Sequence, residues 1–264
     1  MKKRLLAAIM IICMGLCFVA CGNDDGSGTS TKQDAQTSEQ DLATKTDAAE
    51  DSDAQDAGSD ETAEKKEKNN KKVKGELSIE SLKDYEVSPV SDFEVTSFHL
   101  EDGEVAIEDY LGKDDIVVIP AEIDGLKVVE IRDYSFKETD IKAVVIPDSV
   151  EVISRGAFSQ CEKLEVVVCG KGVKRLEQGA FMMCDTLKQV ELNEGLEYIG
   201  KVVFGSCDNL KELTIPESVT EIDDTAFNWG ITFYGKAGSY VEEYVHTNNE
   251  MSSDEEYWYY FIPQ

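Results

Sequence analysis

Basic residues are scarce in this sequence, and their scarcity limits the partners that the protein can have. The 264 residues include 26 Lys and Arg against 54 Asp and Glu, which gives a formal net charge of −28. Nucleic-acid binding depends on Lys and Arg that neutralise phosphates, so this balance argues against nucleic acid as a partner. Adsorption onto anionic lipid is disfavoured for the same reason, unless the chain has a separate anchor.

The patterns that mark catalytic and metal sites are also missing. There are two His residues, His99 and His246, and no recognisable motif pairs either with a Ser, Cys or Asp. The seven Cys residues include no Cys-x-x-Cys pair of the kind found in zinc sites. The sequence has no Gly-rich phosphate loop and no Asp-rich calcium loop. We therefore predict a protein that is not an enzyme and that has no metal or cofactor.

One apolar run stands at the start of the chain, after a basic stretch. It covers residues 5–19 and is shorter than the roughly 20 residues of a membrane-spanning helix. This arrangement predicts a secretory signal peptide over residues 1–20. Residues 18–22 resemble a bacterial lipobox, which implies that Cys21 becomes a lipidated N-terminus and anchors the protein to the membrane. The alternative is an ordinary signal peptide that is cut near Ala20.

Residues 21–92 are predicted to form the lipidated N-terminus and a disordered acidic tether. Between residues 22 and 72 the single large aliphatic residue is Leu42, so this stretch cannot bury enough apolar surface to fold. Six Lys residues crowd the end of the tether, between residues 65 and 74. Two interpretations of this run are open: contact with anionic wall polymers, or a charged stretch that is only solvated.

One sequence pattern repeats four times between residues 141 and 230. Each copy begins with Leu or Ile in a variant of the pattern Leu-x-x-Val/Leu-x-Ile, and one Phe recurs at an interval of 23 residues. A fixed period of this length is typical of leucine-rich repeats, whose copies stack because none can bury its own apolar face. Stacked copies should bring the Phe rings into a column. These rings belong to Phe158, Phe181, Phe204 and Phe227.

The repeats resemble those of the BspA-like leucine-rich repeat proteins of bacterial surfaces. Their consensus approximates Leu-x-x-Ile-x-Ile-Pro-x-x-Val-x-x-Ile-x-x-x-Ala-Phe-x-x-Cys, and residues 93 to about 250 match it. The resemblance implies a right-handed solenoid of the α/β class, rich in strands and poor in helix, with a parallel sheet. It also implies an exported protein that binds proteins or glycans. We predict one domain over residues 93–264, with five coils between residues 113 and 230.

Two flanking segments are predicted to cap the solenoid. Asp102-Gly103 separates two alternating runs and predicts a β-hairpin at the N-terminal end. Residues 231–264 should form a C-terminal cap and tail, with a helix that Ser239 and Glu242 open as a possible capping box. The aromatic tail from Tyr257 to Ile262 has two open interpretations: a final strand packed on the cap, or an exposed adhesive strip.

The cysteines of the repeats are predicted to be core residues. Cys161, Cys184 and Cys207 occupy the same repeat position, so they should form a ladder with rungs about 4.8 Å apart. Adjacent rungs could approach disulfide distance, but parallel side chains rarely point at each other. Buried thiols are therefore the favoured interpretation, and Cys169, at an inward strand position, should be buried as well.

The outward strand positions offer the one candidate binding site. They are apolar in three coils and polar in the next two, so an apolar patch is expected on the outer face of the sheet. The alternatives are strand propensity alone, or coverage of the patch by the tail or by residues 73–92. The patch contains Ile116, Val118, Ala143, Val145, Val166 and Val168.

Together these features predict a monomeric, extracytoplasmic lipoprotein that is exposed at the bacterial surface. Its partners would be the membrane, through Cys21, and an unknown extracellular protein or glycan, with no nucleic acid. Two other functions stay open. An enzyme acting on wall glycans would need carboxylates paired about 5–9.5 Å apart, and the acidic residues are too scattered to choose a pair. A structural spacer would have no specific ligand.

Overall fold

The computed structural model describes residues 77–253 and 258–264. The predicted signal peptide, Cys21 and most of the predicted tether lie outside these residues. No helix in the described part of the chain is both long enough and apolar enough to cross a membrane.

The described chain is a strand-rich solenoid of about six turns. Each regular turn contributes one strand of three residues and one of two residues, because the inward apolar positions recur in two short clusters per copy. The first set of strands is β3 (Ile116–Val118), β6 (Ala143–Val145), β8 (Val166–Val168), β10 (Gln189–Glu191), β12 (Glu212–Thr214), β14 (Thr232–Gly235) and β15 (Tyr260–Pro263).

The second set of strands forms one sheet of eight strands, in which β7, β9, β11 and β13 follow one another in parallel. This sheet begins with the predicted hairpin, in which β1 pairs antiparallel with β2, and β2 then pairs parallel with β5. Its strands are β1 (Phe93–Thr96), β2 (Glu104–Tyr110), β4 (Glu122–Ile123), β5 (Leu126–Ile131), β7 (Val152–Ile153), β9 (Arg175–Leu176), β11 (Tyr198–Ile199) and β13 (Glu221–Ile222).

Little of the chain is helical within residues 77–253 and 258–264. Short 3₁₀ helices cover Glu80–Asp84 and Val90–Asp92, and one α-helix, α1, covers Tyr240–Met251. The buried side of α1 includes Val241, Tyr244 and Val245, and the helix lies beside β13, β14 and β15.

The predicted column of aromatic rings runs through the core. Phe158, Phe181, Phe204 and Phe227 follow one another with ring centroids 5.2–5.5 Å apart and planes inclined by 7°. Phe136 precedes them, and its ring is stacked on that of Phe158 at 4.7 Å. Offset stacking of this kind contributes about 0.5–1.5 kcal/mol per pair beyond the burial of area. The 23-residue period therefore becomes a continuous packed core.

The predicted cysteine ladder is also buried, and its thiols have a specific role. Cys161, Cys184 and Cys207 are at most 1% exposed and are not oxidised. The three sulfurs donate to the carbonyl oxygens of Phe136, Phe158 and Phe181, respectively, at 3.1–3.2 Å. Each thiol therefore links one coil to the one before it and occupies a buried carbonyl acceptor. Cys169 is buried as well.

Two expectations about the C-terminal segment are wrong. The solenoid has about six turns and not five, because residues 232–235 form β14 and pair in parallel with β12. The capping box does not form: the Ser239 side chain makes no cap hydrogen bond, and its backbone N–H donates to the Lys236 carbonyl at 3.1 Å. The Glu242 carboxylate instead accepts from the Gly238 N–H at 2.7 Å.

The described part of the tail, residues 258–264, forms a final strand, which is one of its two predicted interpretations. Residues 260–263 form β15, which pairs in parallel with β14 and extends the sheet. Tyr259 is buried, and its ring lies 5.1 Å from that of Trp229. Tyr260 and Ile262, which alternate with the inward Phe261, are about half exposed at 55% and 44%.

Candidate binding surface

The outward positions of the first strand set form two parallel rows of side chains. This outer side, which we call the strand face, follows from alternation, because every second residue of a strand points to the same face. Register fixes the rows: Ile116, Ala143, Val166 and Gln189 are partners in sequence, as are Val118, Val145, Val168 and Glu191. Beside β10, without pairing to it, lies a separate sheet of β12, β14 and β15. Its outward positions form rows of Glu212, Thr232 and Tyr260, and of Thr214, Tyr234 and Ile262.

The apolar patch on this face is covered by the chain itself. A segment that we call the strap, residues 77–88, lies over it, and Leu82 packs into one cluster with Ile116, Ala143 and Val166. These four side chains are at most 7% exposed, while Val118, Val145 and Val168 are half-buried. The patch is therefore not an open surface in this structure. The alternative of coverage by residues 73–92 is confirmed, because Leu77, Ile79 and Tyr85 of the strap pack against the same cluster.

Hydrogen bonds at both ends hold the strap in register with the sheet. At the β3 edge, the Ser88 N–H donates to the Val118 carbonyl at 2.9 Å, and the Ser88 hydroxyl accepts from the Val118 N–H at 3.0 Å. Ser88 thus satisfies backbone groups of an edge strand that would otherwise be open to another chain. At the other end, the Ile79 N–H donates to Oε1 of Gln189 at 3.3 Å.

Beyond Gln189 the strand face is open and forms a shallow groove of about 410 Å³. The strap borders it at Ile79 and the chain terminus borders it at Gln264. Its floor carries polar groups together with one aromatic ring, and the Tyr234 hydroxyl lies 3.4 Å from the Glu212 carboxylate. The groove is lined by Ile79, Lys188, Gln189, Val190, Glu212, Leu213, Thr214, Tyr234 and Gln264.

Charged pairs lie just before the strands of the first set, and one of their members, Lys188, lines the groove. Lys142 contacts Asp115 at 2.6 Å, and Lys188 contacts Glu165 at 2.9 Å. The hydrogen bond to Asp115 raises the pKa of Lys142 above its usual value. Because all four side chains are substantially exposed, each pair contributes only a few tenths to about 1 kcal/mol to stability.

The far edge of the strand face is blunted against pairing with another strand. The N–H groups of Tyr260 and Gln264 donate inward, to the carbonyls of Ile231 and Gly235. In a parallel ladder the intervening residues direct their backbone groups outward, so Phe261 and Pro263 face the open edge. Pro263 has no N–H to offer there, which is a common protection of edge strands.

Catalytic or metal-binding chemistry gains no geometric support from the described residues. Within them, no group of three or more His, Cys, Asp or Glu side chains is placed to hold a metal ion. His99 lies in the loop of the β1–β2 hairpin and His246 lies on α1. Burial raises the pKa of the Cys169 and Cys207 thiols to about 12, so neither is a nucleophile at neutral pH.

Sequence comparison matches this architecture to a known repeat. The BspA type leucine rich repeat region matches residues 127–231, in six copies. A comparison with curated proteins found no match to the chain.

Comparison with solved structures finds bacterial leucine-rich repeat proteins. One from T. pallidum is 31% identical, with a TM-score of 0.53, and the alignment covers 56% of this chain and 71% of that one. One from Bacteroides ovatus is 30% identical, with a TM-score of 0.47 and coverage of 57% and 40%. A cell surface protein from Faecalibacterium prausnitzii is 23% identical, with a TM-score of 0.46 and coverage of 58% and 46%. Given the repeat match and the T. pallidum relative, this chain belongs to the BspA-type leucine-rich repeat family.

Proposed function

We propose that the protein is a non-catalytic binding module, displayed at the bacterial surface, that holds an extracellular protein or glycan in the groove of the strand face. The observation that carries this proposal is the contrast along the strand face, which consists of a four-stranded sheet (β10-β8-β6-β3) and a neighbouring three-stranded sheet (β12-β14-β15). The strap closes the half of the face that is apolar, whereas the polar half is left as a groove of about 410 Å³.

The chemistry of the groove suits a polar ligand. Gln189, Glu212 and Thr214 offer an amide, a carboxylate and a hydroxyl on adjacent strands, and Tyr234 adds an aromatic ring. A few placed polar groups beside an aromatic surface are typical of sites that orient a ligand. Tyrosine is also favoured at interfaces, because it provides a large contact area with few rotatable bonds.

The floor of the groove is rigid, which favours affinity. Between its outward residues lie the inward Val190, Leu213 and Phe233, all at most 9% exposed. Strands held by such a core do not need to be ordered when a ligand arrives, so the entropic cost of binding is lower.

A bulky residue in the groove tests the location of the site. Thr214 is exposed on the groove floor, whereas Thr220 is exposed elsewhere on the same coil. Thr214→Arg should reduce by at least tenfold the affinity for whatever the wild-type protein binds on a glycan array or on an array of extended peptides. Thr220→Arg adds the same side chain outside the groove and should leave binding unchanged. Equal binding by all three proteins would refute the proposed site.

Anchoring to the membrane is the second part of the proposal. It is supported by residues 18–22 and by the composition of residues 22–72, all outside the described residues. A lipid on Cys21 and a chain of about 50 residues would hold the solenoid at a random-coil distance of roughly 40 Å from the bilayer. Cys21→Ala should release the protein from the membrane fraction into the medium. Retention of the variant in membranes would contradict lipidation at this residue.

A further inference from the structure

The strap approaches the groove from one side. Its C-terminal end is fixed at β3 by Ser88, its middle lies on β3, β6 and β8 through Leu82, and Ile79 reaches Gln189 on β10. The strap therefore crosses the strands one after another. A chain that continued from Ile79 in the same direction, toward the N-terminus, would next reach β12 and β14, which form the floor of the groove.

The residues immediately before the strap are strongly basic. We call residues 65–74 the lysine segment; they lie outside the described residues and contain Lys65, Lys66, Lys68, Lys71, Lys72 and Lys74. Only two residues separate Lys74 from Leu77, the first described residue of the strap. An extended chain covers up to about 3.3–3.6 Å per residue, so Lys74 can lie about 10 Å from Leu77. Adjacent strands are about 4.8 Å apart, so this reach spans β12 and β14.

Negative charge lies in and beside the groove: Glu212 lines it, and Glu191 lies outside the lining, near Lys83 of the strap. Glu191 and Glu212 lie at outward positions of β10 and β12, and neither belongs to an ion pair among the described residues. Among the described residues, the one Lys that lines the groove is Lys188, which is paired with Glu165. Lys83 of the strap responds to this charge: its pKa is raised mainly by its hydrogen bond to Glu80, and also by Glu191.

We propose that the lysine segment binds the groove of its own chain, with its ammonium groups against Glu191 and Glu212. The segment is joined directly to the strap, so its effective concentration at the groove is of the millimolar order expected for short linkers. An external ligand then has to displace it. The contact involves exposed charges, and it should weaken as salt shortens the range of electrostatic attraction. This inference goes beyond the proposed function, because it holds whether or not an external ligand exists.

Zero-length cross-linking tests the contact directly. A carbodiimide joins an ammonium to a carboxylate only when the two are in contact, and peptide mass spectrometry identifies the pair. With full-length protein in detergent, we expect amide links from Lys71, Lys72 or Lys74 to Glu191 or Glu212. Mixing unlabelled and ¹⁵N-labelled protein should show these links within single molecules. Their yield should fall at least fivefold in 0.5 M NaCl.

Two matched variants make the test specific. Glu191→Gln with Glu212→Gln should abolish the links to these positions. It should also raise hydrogen exchange in the lysine segment. Glu197→Gln with Glu221→Gln removes the same charge from the same two coils, outside the strand face, and should change neither result. The proposal is overturned if the lysine segment links only to acidic residues elsewhere, or only between molecules.

The cross-linking result for the lysine segment can be distinguished from the array-binding result that tests the proposed function. If the cross-links are absent but the protein still binds its ligand on the array, the groove remains a site for an external ligand. The intramolecular contact with the lysine segment is then refuted. Replacing the six Lys residues by Gln provides a second readout on the full chain. If the lysine segment occupies the groove, this variant should bind the array ligand at least threefold more tightly than the wild type. Unchanged affinity would contradict occupancy of the groove.

Discussion

Leu82→Ala should release the strap without unfolding the solenoid. Leu82 is 3% exposed and is the central strap residue in the cluster with Ile116, Ala143 and Val166. This cluster is separate from the main core, which contains the ring column and the cysteine ladder. Loss of the Leu82 contacts should therefore lower the free energy of local opening and leave that of global unfolding nearly unchanged.

The magnitude follows from the carbon atoms that are removed. The change from Leu to Ala deletes three buried carbons, at about 0.8 kcal/mol each, so the strap should lose about 2.4 kcal/mol. Little is added for a cavity, because a segment at the surface can close over the gap or detach. At 1.36 kcal/mol per factor of ten, this loss increases the population of the open state roughly fiftyfold.

Hydrogen exchange followed by mass spectrometry measures this population. Amides of the strap should exchange roughly fiftyfold faster in the variant, while peptides from β8 to β13 should keep their wild-type rates. Val87→Ala is the matched control, since Val87 lies in the same segment but is 58% exposed. Unchanged strap exchange in Leu82→Ala would refute the reasoning. So would a fall in melting temperature as large as that of a core variant.

Two further predictions concern the core. Phe204→Ala should lower the free energy of unfolding by about 3–5 kcal/mol in chemical denaturation, because this fully buried ring is stacked on two others. Phe98→Ala, at a position 70% exposed, should change it by less than about 0.5 kcal/mol. Iodoacetamide at pH 8 should leave Cys169 and Cys207 unmodified in the folded protein, since burial raises the pKa of both thiols to about 12. Labelling of either before unfolding would contradict their placement in the core.

The repeat positions could be predicted from the sequence because each depends on local periodicity. Phe181 and Cys184 recur at 23 residues, and stacking of equal coils places every such residue beside its equivalent. The hairpin around Gly103 was predictable for a similar reason, since its two strands are neighbours in the chain.

Predictions at the ends of the solenoid were less successful, because the repeat pattern no longer specifies the contacts there. Residues 232–235 lack the repeat consensus but still pair with β12, since the last coil leaves backbone groups to be satisfied. Ser239 and Glu242 have the spacing of a capping box. The Ser239 N–H, however, is already used by the Lys236 carbonyl, and this competition is not visible in the sequence.

The apolar patch separates what the sequence determined from what only the tertiary structure decided. Alternation along each strand determined that Val145 and Val168 point outward, because the side-chain period of a strand is two. This alternation does not determine which segment covers the two side chains. The strap has no repeat and reaches the patch from about 30 residues or more upstream, so its partners depend on the folded surface alone. Coverage of the apolar half and opening of the polar half were therefore decided by tertiary packing, in which burial of apolar side chains is favourable.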